Sequence, residues 1–404
     1  MTRWNEYFAN RTAALDGAAL SSILRLSGPT GMVNLSGGFP DPSTFRIDLL
    51  SDLAQTTLID EGPISLQYSP TEGLPMLREI LLQRQHASVA SSGVGTPVRS
   101  DELLITSGGI DGLELVVKSF INPGDLIITE APTYLGALSA FYGFEAHVLA
   151  IELDDEGLSI ERLKMELVGG ARPKLLYVIS DHQNPTGASL SSDRRTELVA
   201  LARHYHFLII EDVAYRELSF SGETVPSLYD LAPDTVVQLG TFSKTFSPGV
   251  RLGWAFGPAE IIAQMAIAKQ NSDQCAGSLG QVLLSHFFTS GAYEPRQVEA
   301  RALYQHRASV MLDALDRSMT TKATWTRPQG GFFIWLTLPP TVSTSRLLES
   351  SLAAGIAYVP GKPFYPDERG DNELRLSFSR ASDEEISLGI ERLANVLSSS
   401  LVGS

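Results

Sequence analysis

The chain has 404 residues, of which 43% are hydrophobic and 19% charged, and its formal net charge is −15 at pH 7. This length exceeds the size at which one hydrophobic core usually keeps growing, so we expect a globular protein with two subdomains. The negative charge disfavours nonspecific binding to nucleic acid, and no apolar stretch approaches the length that crosses a bilayer.

The cysteine content and the first residues predict the compartment. Cys275 is the only cysteine, which excludes an intrachain disulfide and a metal site of the C-x-x-C type. The start of the chain, Met-Thr-Arg-Trp-Asn-Glu-Tyr-Phe, lacks the apolar segment of a secretory signal peptide. We therefore expect a cytoplasmic protein without a metal ion.

Residues 1–45 are predicted to form an N-terminal arm that includes the Gly/Pro-rich run 37–42 (GGFPDP). The middle of the chain then alternates short apolar runs with helical patterns. Predicted strands are Leu103–Thr106, Asp125–Thr129, Ala146–Ile151, Lys174–Ile179, Phe207–Glu211, Thr235–Leu239 and Leu252–Phe256, and predicted helices include Gly109–Phe120 and Ser192–His204. This alternation predicts an α/β fold with a mostly parallel, doubly wound central sheet covered on both faces.

The last third of the chain has a different pattern. A long helical stretch is predicted from about Ala259 to Asp316. The segments 330–336 (GGFFIWL), 355–360 (GIAYVP) and Leu374–Phe378 then indicate a smaller α+β domain. The predicted organisation is an N-terminal arm at 1–45, a large domain at 46–290 and a small C-terminal domain at 291–404.

Polar and glycine residues follow several of the predicted strands, where ligands bind in open α/β sheets. Gly109 begins a helix whose backbone N–H groups suit an anion. Asn184 follows the strand that ends at Ile179, and Asp212 and Tyr215 follow the next one. Each position also has an ordinary explanation: a strand–helix turn, a turn of Asn-Pro-Thr-Gly composition, and a helix N-cap.

Lys244 lies in the run 240–253, GTFSKTFSPGVRLG, between the hydroxyls of Ser243 and Thr245 and shortly before Arg251. A lysine amine forms a Schiff base with the aldehyde of pyridoxal phosphate (PLP), while Ser, Thr and Arg suit its phosphate. A solvated lysine in a hydroxyl-rich loop is the alternative. The simultaneous placement of Asn184, Asp212, Tyr215 and the anion-binding loop at one sheet edge favours a PLP site.

With these residues identified, the chain resembles the fold-type-I PLP enzymes of the class I and II aminotransferase family. It is most similar to the branch that contains the 2-aminoadipate and aromatic aminotransferases. The motifs that carry the resemblance, in chain order, are 37–42 (GGFPDP), 68–73 (YSPTEG), 107–109 (SGG), 132–134 (PTY), 183–187 (QNPTG), 212–215 (DVAY), 243–244 (SK), 251–253 (RLG) and 374–376 (LRL).

The resemblance implies a role for each cofactor residue. Lys244 would hold PLP covalently and move the α-proton of the substrate, and Asp212 would pair with the ring nitrogen. Asn184 and Tyr215 would bind the phenolic oxygen of the ring, and Tyr134 would lie over its face. The residues around the phosphate would be Gly109, Ile110, Thr241, Ser243 and Arg251.

The resemblance also implies the substrates and the assembly. Arg375 would bind the substrate α-carboxylate through its fork of donors, aided by Asn184 and the backbone of Gly38. Alternatively, Arg375 is a surface arginine like its neighbour Arg380. Tyr68 would reach the phosphate of a neighbouring subunit, which implies a homodimer. The implied reaction moves an amino group between an amino acid and a 2-oxo acid by a ping-pong mechanism.

Two departures from the family pattern affect the substrate and the site. Ser21 stands where relatives that take acidic amino acids carry an arginine, and Arg25, one helical turn on, is either its substitute or part of a solvated face. His182 replaces an aromatic residue and either packs beside the cofactor or acts as an acid or base.

Two other functions are consistent with parts of the sequence. The same scaffold supports decarboxylation, oxidation, elimination or cyclisation of amino acids, which we keep as the alternative reaction. A PLP-sensing transcription regulator would carry a basic helix-turn-helix module before the aminotransferase-like region. Because the match begins within the first few dozen residues and the chain is acidic, the regulator is disfavoured.

Overall fold

The computed structural model describes residues 4–13 and 31–402. The strands are β1 Val33–Asn34, β2 Leu103–Thr106, β3 Leu126–Ala131, β4 His147–Asp154, β5 Gly157–Leu158, β6 Leu175–Ile179, β7 Leu208–Asp212, β8 Val236–Thr241, β9 Gly253–Phe256, β10 Thr324–Trp325, β11 Phe333–Thr337, β12 Ile356–Ala357, β13 Val359–Pro360 and β14 Glu373–Ser377. The α-helices are α1 Asn10–Ala13, α2 Ile47–Asp60, α3 Gly62–Ser65, α4 Pro75–Ser92, α5 Gly109–Phe120, α6 Leu135–Gly143, α7 Ile160–Val168, α8 Ser192–Tyr205, α9 Leu228–Leu231, α10 Ala259–Gln270, α11 Ser278–Thr289, α12 Tyr293–Ser318, α13 Thr344–Ala353 and α14 Asp383–Val402.

The large sheet has eight strands in the order β2-β9-β8-β7-β6-β3-β4-β5. Strands β8, β7, β6, β3 and β4 pair in parallel, whereas β9 is antiparallel to both β2 and β8, and β5 is antiparallel to β4. The predicted α/β fold with a mostly parallel central sheet is therefore confirmed. The carboxyl ends of β2, β6, β7 and β8 consequently meet at one edge, as in other open α/β sheets.

Both faces of the large sheet are buried, which explains its near-continuous apolar strands. Along β6, Leu176 and Val178 belong to one core cluster, and Leu175, Tyr177 and Ile179 belong to the cluster on the other face. The alternation follows from the period of two in a strand. Helices cover each face, so only the strand ends remain available for a ligand.

A second sheet of four strands, in the order β10-β11-β14-β13, forms a separate core with α12, α13 and α14. The segment after residue 30 joins this core, because β1 pairs in parallel with β12 and Leu35 is fully buried there. The predicted N-terminal arm is thus attached to the C-terminal part of the chain. The domain boundaries at 45/46 and 290/291 stay predictions.

The seven predicted strands of the large sheet agree with the structure to within three residues at each end, and β2 and α5 agree to the residue, whereas the two-residue strand β5 was not predicted. The predicted helical stretch from about Ala259 to Asp316 consists of three helices, because the chain leaves the helix after α10 and again after α11. At the end of α10, the side chains of Asn271 and Ser272 donate to the carbonyls of Ile267 and Ala268 at 2.9 and 3.0 Å. Such side chains compete with the backbone for hydrogen bonds and terminate helices.

Among the described residues, no helix combines the length and the apolar composition that a membrane crossing requires.

Candidate active site

A cavity of about 290 Å³ lies at the carboxyl edge of the large sheet, between that sheet and the four-stranded sheet. It is lined by backbone and side chains of Gly37, Gly38, Phe39, Gly109, Ile110, Leu113, Tyr134, Leu135, Ile179, Asn184, Asp212, Ala214, Tyr215, Thr241, Ser243, Lys244, Pro248, Arg251, Phe333 and Arg375. All residues predicted for the site except Tyr68 are in this set.

Lys244 follows β8 and places its amine in the cavity. Its Nζ donates to the carbonyl oxygen of Gly38 at 2.8 Å and lies 6.0 Å from the ring centroid of Tyr215. Burial lowers the pKa of Lys244 to about 8, helped by the positive charges of Arg375 and Arg251 and opposed by Asp212. The amine is therefore more nucleophilic at neutral pH than that of an ordinary lysine.

Asp212 is the last residue of β7 and presents its carboxylate to the same cavity. Its Oδ2 accepts from the hydroxyl of Tyr177 at 2.8 Å, and its Oδ1 accepts from the backbone N–H of Ala214 at 3.0 Å. Burial raises the pKa of Asp212, and these two hydrogen bonds and the charge of Lys244 oppose that rise. A carboxylate held in this way can accept one more donor from the cavity.

An anion-binding loop forms where β2 ends and α5 begins. Gly108 has a φ of 105°, and a Cβ built on it would lie 2.7 Å from Nη2 of Arg251, so this position requires glycine. The guanidinium of Arg251 donates to Oγ of Ser243 at 3.3 Å, and Ser243 accepts from the hydroxyl of Thr241 at 3.0 Å. A helix N-terminus, two hydroxyls and an arginine together match a phosphate.

The loop is supported from behind by a fully buried lysine that the sequence did not reveal. Lys269 on α10 donates to Oδ2 of Asp111 at 2.8 Å and to both carboxylate oxygens of Asp273 at 2.8 Å. Asp111 also accepts from the backbone N–H of Ser107 at 2.7 Å. These contacts fix the start of α5 and compensate the buried ammonium group.

Arg375 on β14 is 5% exposed and reaches the cavity from the four-stranded sheet. Its Nη1 donates to Oδ1 of Asn184 at 2.8 Å and its Nη2 to the carbonyl oxygen of Ser36 at 2.6 Å, while its Nε has no partner. Its Cζ lies 4.2 Å from the ring centroid of Phe333. Burial lowers its pKa to about 10, so it remains positive at neutral pH. The alternative of a surface arginine is wrong, whereas Arg380 is exposed.

The remaining predicted ring contacts lie on the same cavity wall. Asn184 and Tyr215 are buried, and Tyr134 lies just before α6. Burial raises the pKa of both Tyr134 and Tyr215. Both phenols therefore remain protonated at neutral pH and can donate a hydrogen bond.

His182 does not line this cavity. It has a φ of 51°, and a Cβ on Gly330 would come within 2.5 Å of its Nε2, so the ring packs tightly against that glycine. Burial lowers the pKa of His182 to about 4. These contacts favour packing over an acid–base role, but the ring packs against Gly330 and not beside the cofactor cavity.

Three residues singled out by the sequence lie away from the cavity or outside the described residues. Tyr68 is 78% exposed on the surface. Ser21 and Arg25 lie outside the described residues.

Several residues of the site were missed. Tyr177 looks like an apolar core position of β6, and only the register of β6 against β7 places it on the face that carries Asp212. Ser36, Phe39 and Phe333 reach the site from segments that are distant in sequence. Within 4–13 and 31–402, no group of three His, Cys, Asp or Glu side chains is arranged to hold a metal ion.

Comparison with known proteins shows similarity to aminotransferases along nearly the whole chain. A sequence model of the aminotransferase class I and II family matches residues 30–393. Aromatic-amino-acid aminotransferase 1 of Thermococcus litoralis is 35% identical over 401 residues, which cover 98% of this chain and 94% of that protein.

Two solved structures have the same fold. The α-aminoadipate aminotransferase LysN of Thermus thermophilus, complexed with N-(5'-phosphopyridoxyl)-L-leucine, has a TM-score of 0.92 at 33% identity and 100% coverage of both chains. The kynurenine aminotransferase of Pyrococcus horikoshii, in complex with PMP and with KYN and KYA, has a TM-score of 0.93 at 35% identity. That match covers 99% of this chain and 98% of the other.

Proposed function

The chain belongs to the aminotransferase class I and II family, and we propose that Lys244, Asp212 and Tyr215 carry its chemistry. The protein is a PLP-dependent aminotransferase, which moves an amino group between an amino acid and a 2-oxo acid. PLP supplies an aldehyde that bonds reversibly to amines and a ring that withdraws electrons from the attached carbon. The observation that carries the residue assignment is the convergence of Lys244, Asp212 and Arg375 on one cavity.

The residues around the cavity fit this cofactor. Arg251, Thr241 and Ser243 offer donors beside the N-terminus of α5, which suits a phosphate dianion. Asp212 has acceptor capacity for a protonated ring nitrogen, and Asn184 and Tyr215 are available to the phenolic oxygen. Tyr134 supports the face of the ring. Each polar group of PLP thus has a partner of suitable chemistry.

Lys244 acts as both the attachment point and the proton carrier. With a pKa of about 8, about one tenth of its amines are neutral at pH 7, against about one in three thousand for an ordinary lysine. With PLP and an amino acid bound, Nζ of Lys244 would accept the α-proton of the substrate and return it to the reacting centre. The pKa allows both directions of transfer near neutrality.

Arg375 binds and orients the substrate carboxylate. Two of its three nitrogens are held by Asn184 and Ser36, which fixes the guanidinium plane, and each of these two nitrogens has a second N–H that can donate to a carboxylate. The backbone of Gly38 borders the same position. A fixed carboxylate sets the orientation of the α-hydrogen relative to Lys244. The same contacts serve the amino acid and the 2-oxo acid, since both carry an α-carboxylate, so one site can alternate between them in a ping-pong mechanism.

The substrate side chain meets an apolar part of the cavity. Phe39, Ile110, Leu135 and Phe333 contribute to its lining. An apolar wall favours apolar and aromatic side chains through burial of their surface. We therefore assign leucine-like and aromatic amino acids as preferred donors. The LysN complex, which holds a leucine derivative of the cofactor, is consistent with this assignment.

The assay is a panel of amino acids offered with 2-oxoglutarate or pyruvate, with products followed by mass spectrometry. We expect a 2-oxo acid and a new amino acid in equal amounts, with leucine or phenylalanine giving a higher kcat/KM than aspartate. Lys244→Ala serves as the control for nonenzymatic transfer by free PLP. Release of CO2, peroxide or a cyclised product in place of the new amino acid would contradict the assignment.

A homodimer completes the proposed site. Tyr68 is exposed, and so are three large apolar side chains that precede it in the chain, Ile59, Ile64 and Leu66, which are 71%, 57% and 71% exposed. Such a surface is typical of a contact with a second copy. In this dimer, Tyr68 would contact the phosphate of the cofactor bound to the other subunit, since it does not line the cavity of its own chain.

Subunit mixing tests this role of Tyr68. Lys244→Ala and Tyr68→Ala subunits are each impaired alone. If Tyr68 acts across the interface, a mixed dimer contains one intact site and recovers activity after the two are mixed and re-annealed. If it acts within its own chain, the mixture stays as impaired as the average of its parents, which would remove the shared-site proposal.

The presence of one cysteine, Cys275, supports a reducing compartment such as the cytoplasm.

A further inference from the structure

Tyr177 lies behind Asp212, outside the set of residues that line the cavity. In the parallel pair β6–β7, Tyr177 stands opposite Ile210 and Ile179 opposite Asp212. Because side chains alternate along a strand, Tyr177 and Asp212 project from the same face. The phenol of Tyr177 donates to Oδ2 of Asp212 at 2.8 Å.

The contact is built into the core. Tyr177 is 0% exposed, and its ring packs edge-on against Phe141 with centroids 5.7 Å apart. Burial and the negative charge of Asp212 raise the pKa of Tyr177 well above its usual range. The phenol therefore stays protonated at neutral pH and can donate to the carboxylate.

The hydrogen bonds that Asp212 accepts favour its ionised form. A carboxylate is an acceptor only, and Asp212 accepts one donor on each oxygen, from Tyr177 and from the N–H of Ala214. Both donors favour the ionised form, whereas burial opposes it. The titratable groups around Asp212 are Glu130 on β3, Tyr134 before α6, Tyr177 on β6, Glu211 on β7, Tyr215 after β7 and Lys244 after β8.

We propose that Tyr177 is a positioning residue for the reaction, because its hydroxyl keeps Asp212 ionised and aimed at the ring nitrogen of the cofactor. The inference rests on the role proposed above for Asp212. Tyr177 touches neither substrate nor cofactor and acts only through the carboxylate. Its hydroxyl thereby sets how positive the ring is and how strongly the ring withdraws electrons.

Loss of the hydroxyl has a defined consequence. Without this donor the carboxylate of Asp212 becomes more basic, so the proton shared between Asp212 and the ring nitrogen moves toward the carboxylate. A less positive ring makes the covalent Lys244–cofactor linkage more basic. The pH midpoint of the visible absorption band of that linkage should therefore move upward.

The test compares Tyr177→Phe with the wild-type holoenzyme by spectrophotometric pH titration. We expect the midpoint to rise by about one pH unit and the affinity for PLP to fall about ten-fold, since a hydrogen bond to a charged group is worth about that factor. Tyr358→Phe is the matched control, because Tyr358 is also fully buried and donates to the carbonyl of Thr344 at 2.7 Å, outside the cavity. It should leave the midpoint unchanged.

Two further experiments change the ring nitrogen of the cofactor and the acidity of the phenol at position 177. In 1-deaza-PLP a carbon replaces the ring nitrogen, so Tyr177→Phe and wild type loaded with it should have the same midpoint. Site-specific incorporation of 3,5-difluorotyrosine at position 177, a more acidic donor, should move the midpoint downward with normal PLP.

The inference is overturned if Tyr177→Phe and wild type titrate together, if Tyr358→Phe shifts the midpoint equally, or if the shift persists with the carbon analogue. These outcomes do not depend on turnover. If the wild type titrates normally but transfers no amino group from any amino acid in the panel, the proposed function fails and the inference about Tyr177 stands.

Discussion

Glu211 and Asp212 are neighbours at the end of β7, yet their carboxylates have different surroundings. Glu211 points to the opposite face of the sheet from Asp212 and is fully buried. It accepts from the hydroxyl of Ser180 at 2.7 Å and the side-chain amide of Gln238 at 2.9 Å. It also accepts from the backbone N–H groups of Leu228 at 2.9 Å and Tyr229 at 3.1 Å.

Asp212 points into the cavity and accepts hydrogen bonds from only two donors, against four for Glu211.

The arginines near the two carboxylates also differ in how many of their nitrogens have a partner. On the Glu211 side, Arg195 donates to Oδ1 of Asp181 at 2.7 Å and to the carbonyl oxygens of Leu190 and Ser180 at 2.9 and 2.7 Å. On the cavity side, Arg375 retains an unpartnered Nε.

Structural and functional charges in this protein differ in how many partners they have. Burial raises the pKa of Asp181, but Arg195 and Arg216 outweigh it and hold that pKa well below its usual range. Burial dominates at Lys244, whose pKa falls to about 8. Charged groups whose hydrogen bonds are all made within the protein stabilise the fold. Charged groups with unused hydrogen-bonding capacity and a shifted pKa are candidates for binding a ligand.

The largest expected effect is on catalysis at Asp212. Asp212→Asn should lower kcat about a thousand-fold, because the amide cannot hold a positive charge on the ring nitrogen. The folded-state pKa of Asp212 is raised, so ionisation costs the folded state stability at pH values above the pKa of the unfolded chain. The apoenzyme of the variant should therefore be at least as stable as wild type at pH 7 in urea unfolding. A large stability loss would place Asp212 with the structural charges.

The next effect is on stability at Glu211. Glu211→Gln should lower the free energy of unfolding by about 3 kcal/mol, since its amide nitrogen would face donors in place of an acceptor. Activity per folded molecule should stay within about two-fold of wild type. Urea unfolding and active-site titration measure the two quantities. Unchanged stability with lost activity would reverse the assignment of the two carboxylates.

A third effect separates two arginines on one segment. Arg375→Ala should raise KM for amino acids about a hundred-fold while PLP binding survives, because the carboxylate loses its charged fork. Arg380→Ala, which truncates an exposed side chain, should change KM by less than about two-fold. Steady-state kinetics and PLP titration distinguish the variants. Equal KM values for both would exclude Arg375 from the substrate site.

The smallest effect is a pH dependence of cofactor attachment. Only the neutral amine of Lys244 attacks the aldehyde, and its pKa is about 8. The rate of linkage formation in the apoenzyme should rise about ten-fold per pH unit below that value and level off above it. Stopped-flow absorbance measures this rate. A rise that continues to about pH 10 would indicate an ordinary lysine.

The sequence predicted the strand ends well because two signals coincide there. Apolar runs of β-branched residues located β2, β6, β7 and β8, and the polar residues that follow them had chemistry in common. Asn184, Asp212 and Lys244 could therefore be associated before their contacts were known. The large sheet brings them together by its strand order alone.

The remaining parts of the site depend on packing between distant segments. Ser36 meets Arg375 across 339 residues of sequence, and Gly38 meets Lys244 across 206. These segments are placed by the pairing of β1 with β12, which is only two residues long and therefore too short to be predicted from the sequence. Tyr177 reads as a core residue until the register of β6 against β7 is known.

Lys244 is the residue that we propose as the covalent anchor of the cofactor. Reduction of the purified holoenzyme with borohydride, followed by protease digestion and mass spectrometry, locates the anchored lysine directly. We expect a phosphopyridoxyl group on Lys244 and on no other lysine. In Lys244→Ala, this group and the visible absorption band should both be lost. A phosphopyridoxyl adduct on a different lysine, or a band that persists in the variant, would contradict it.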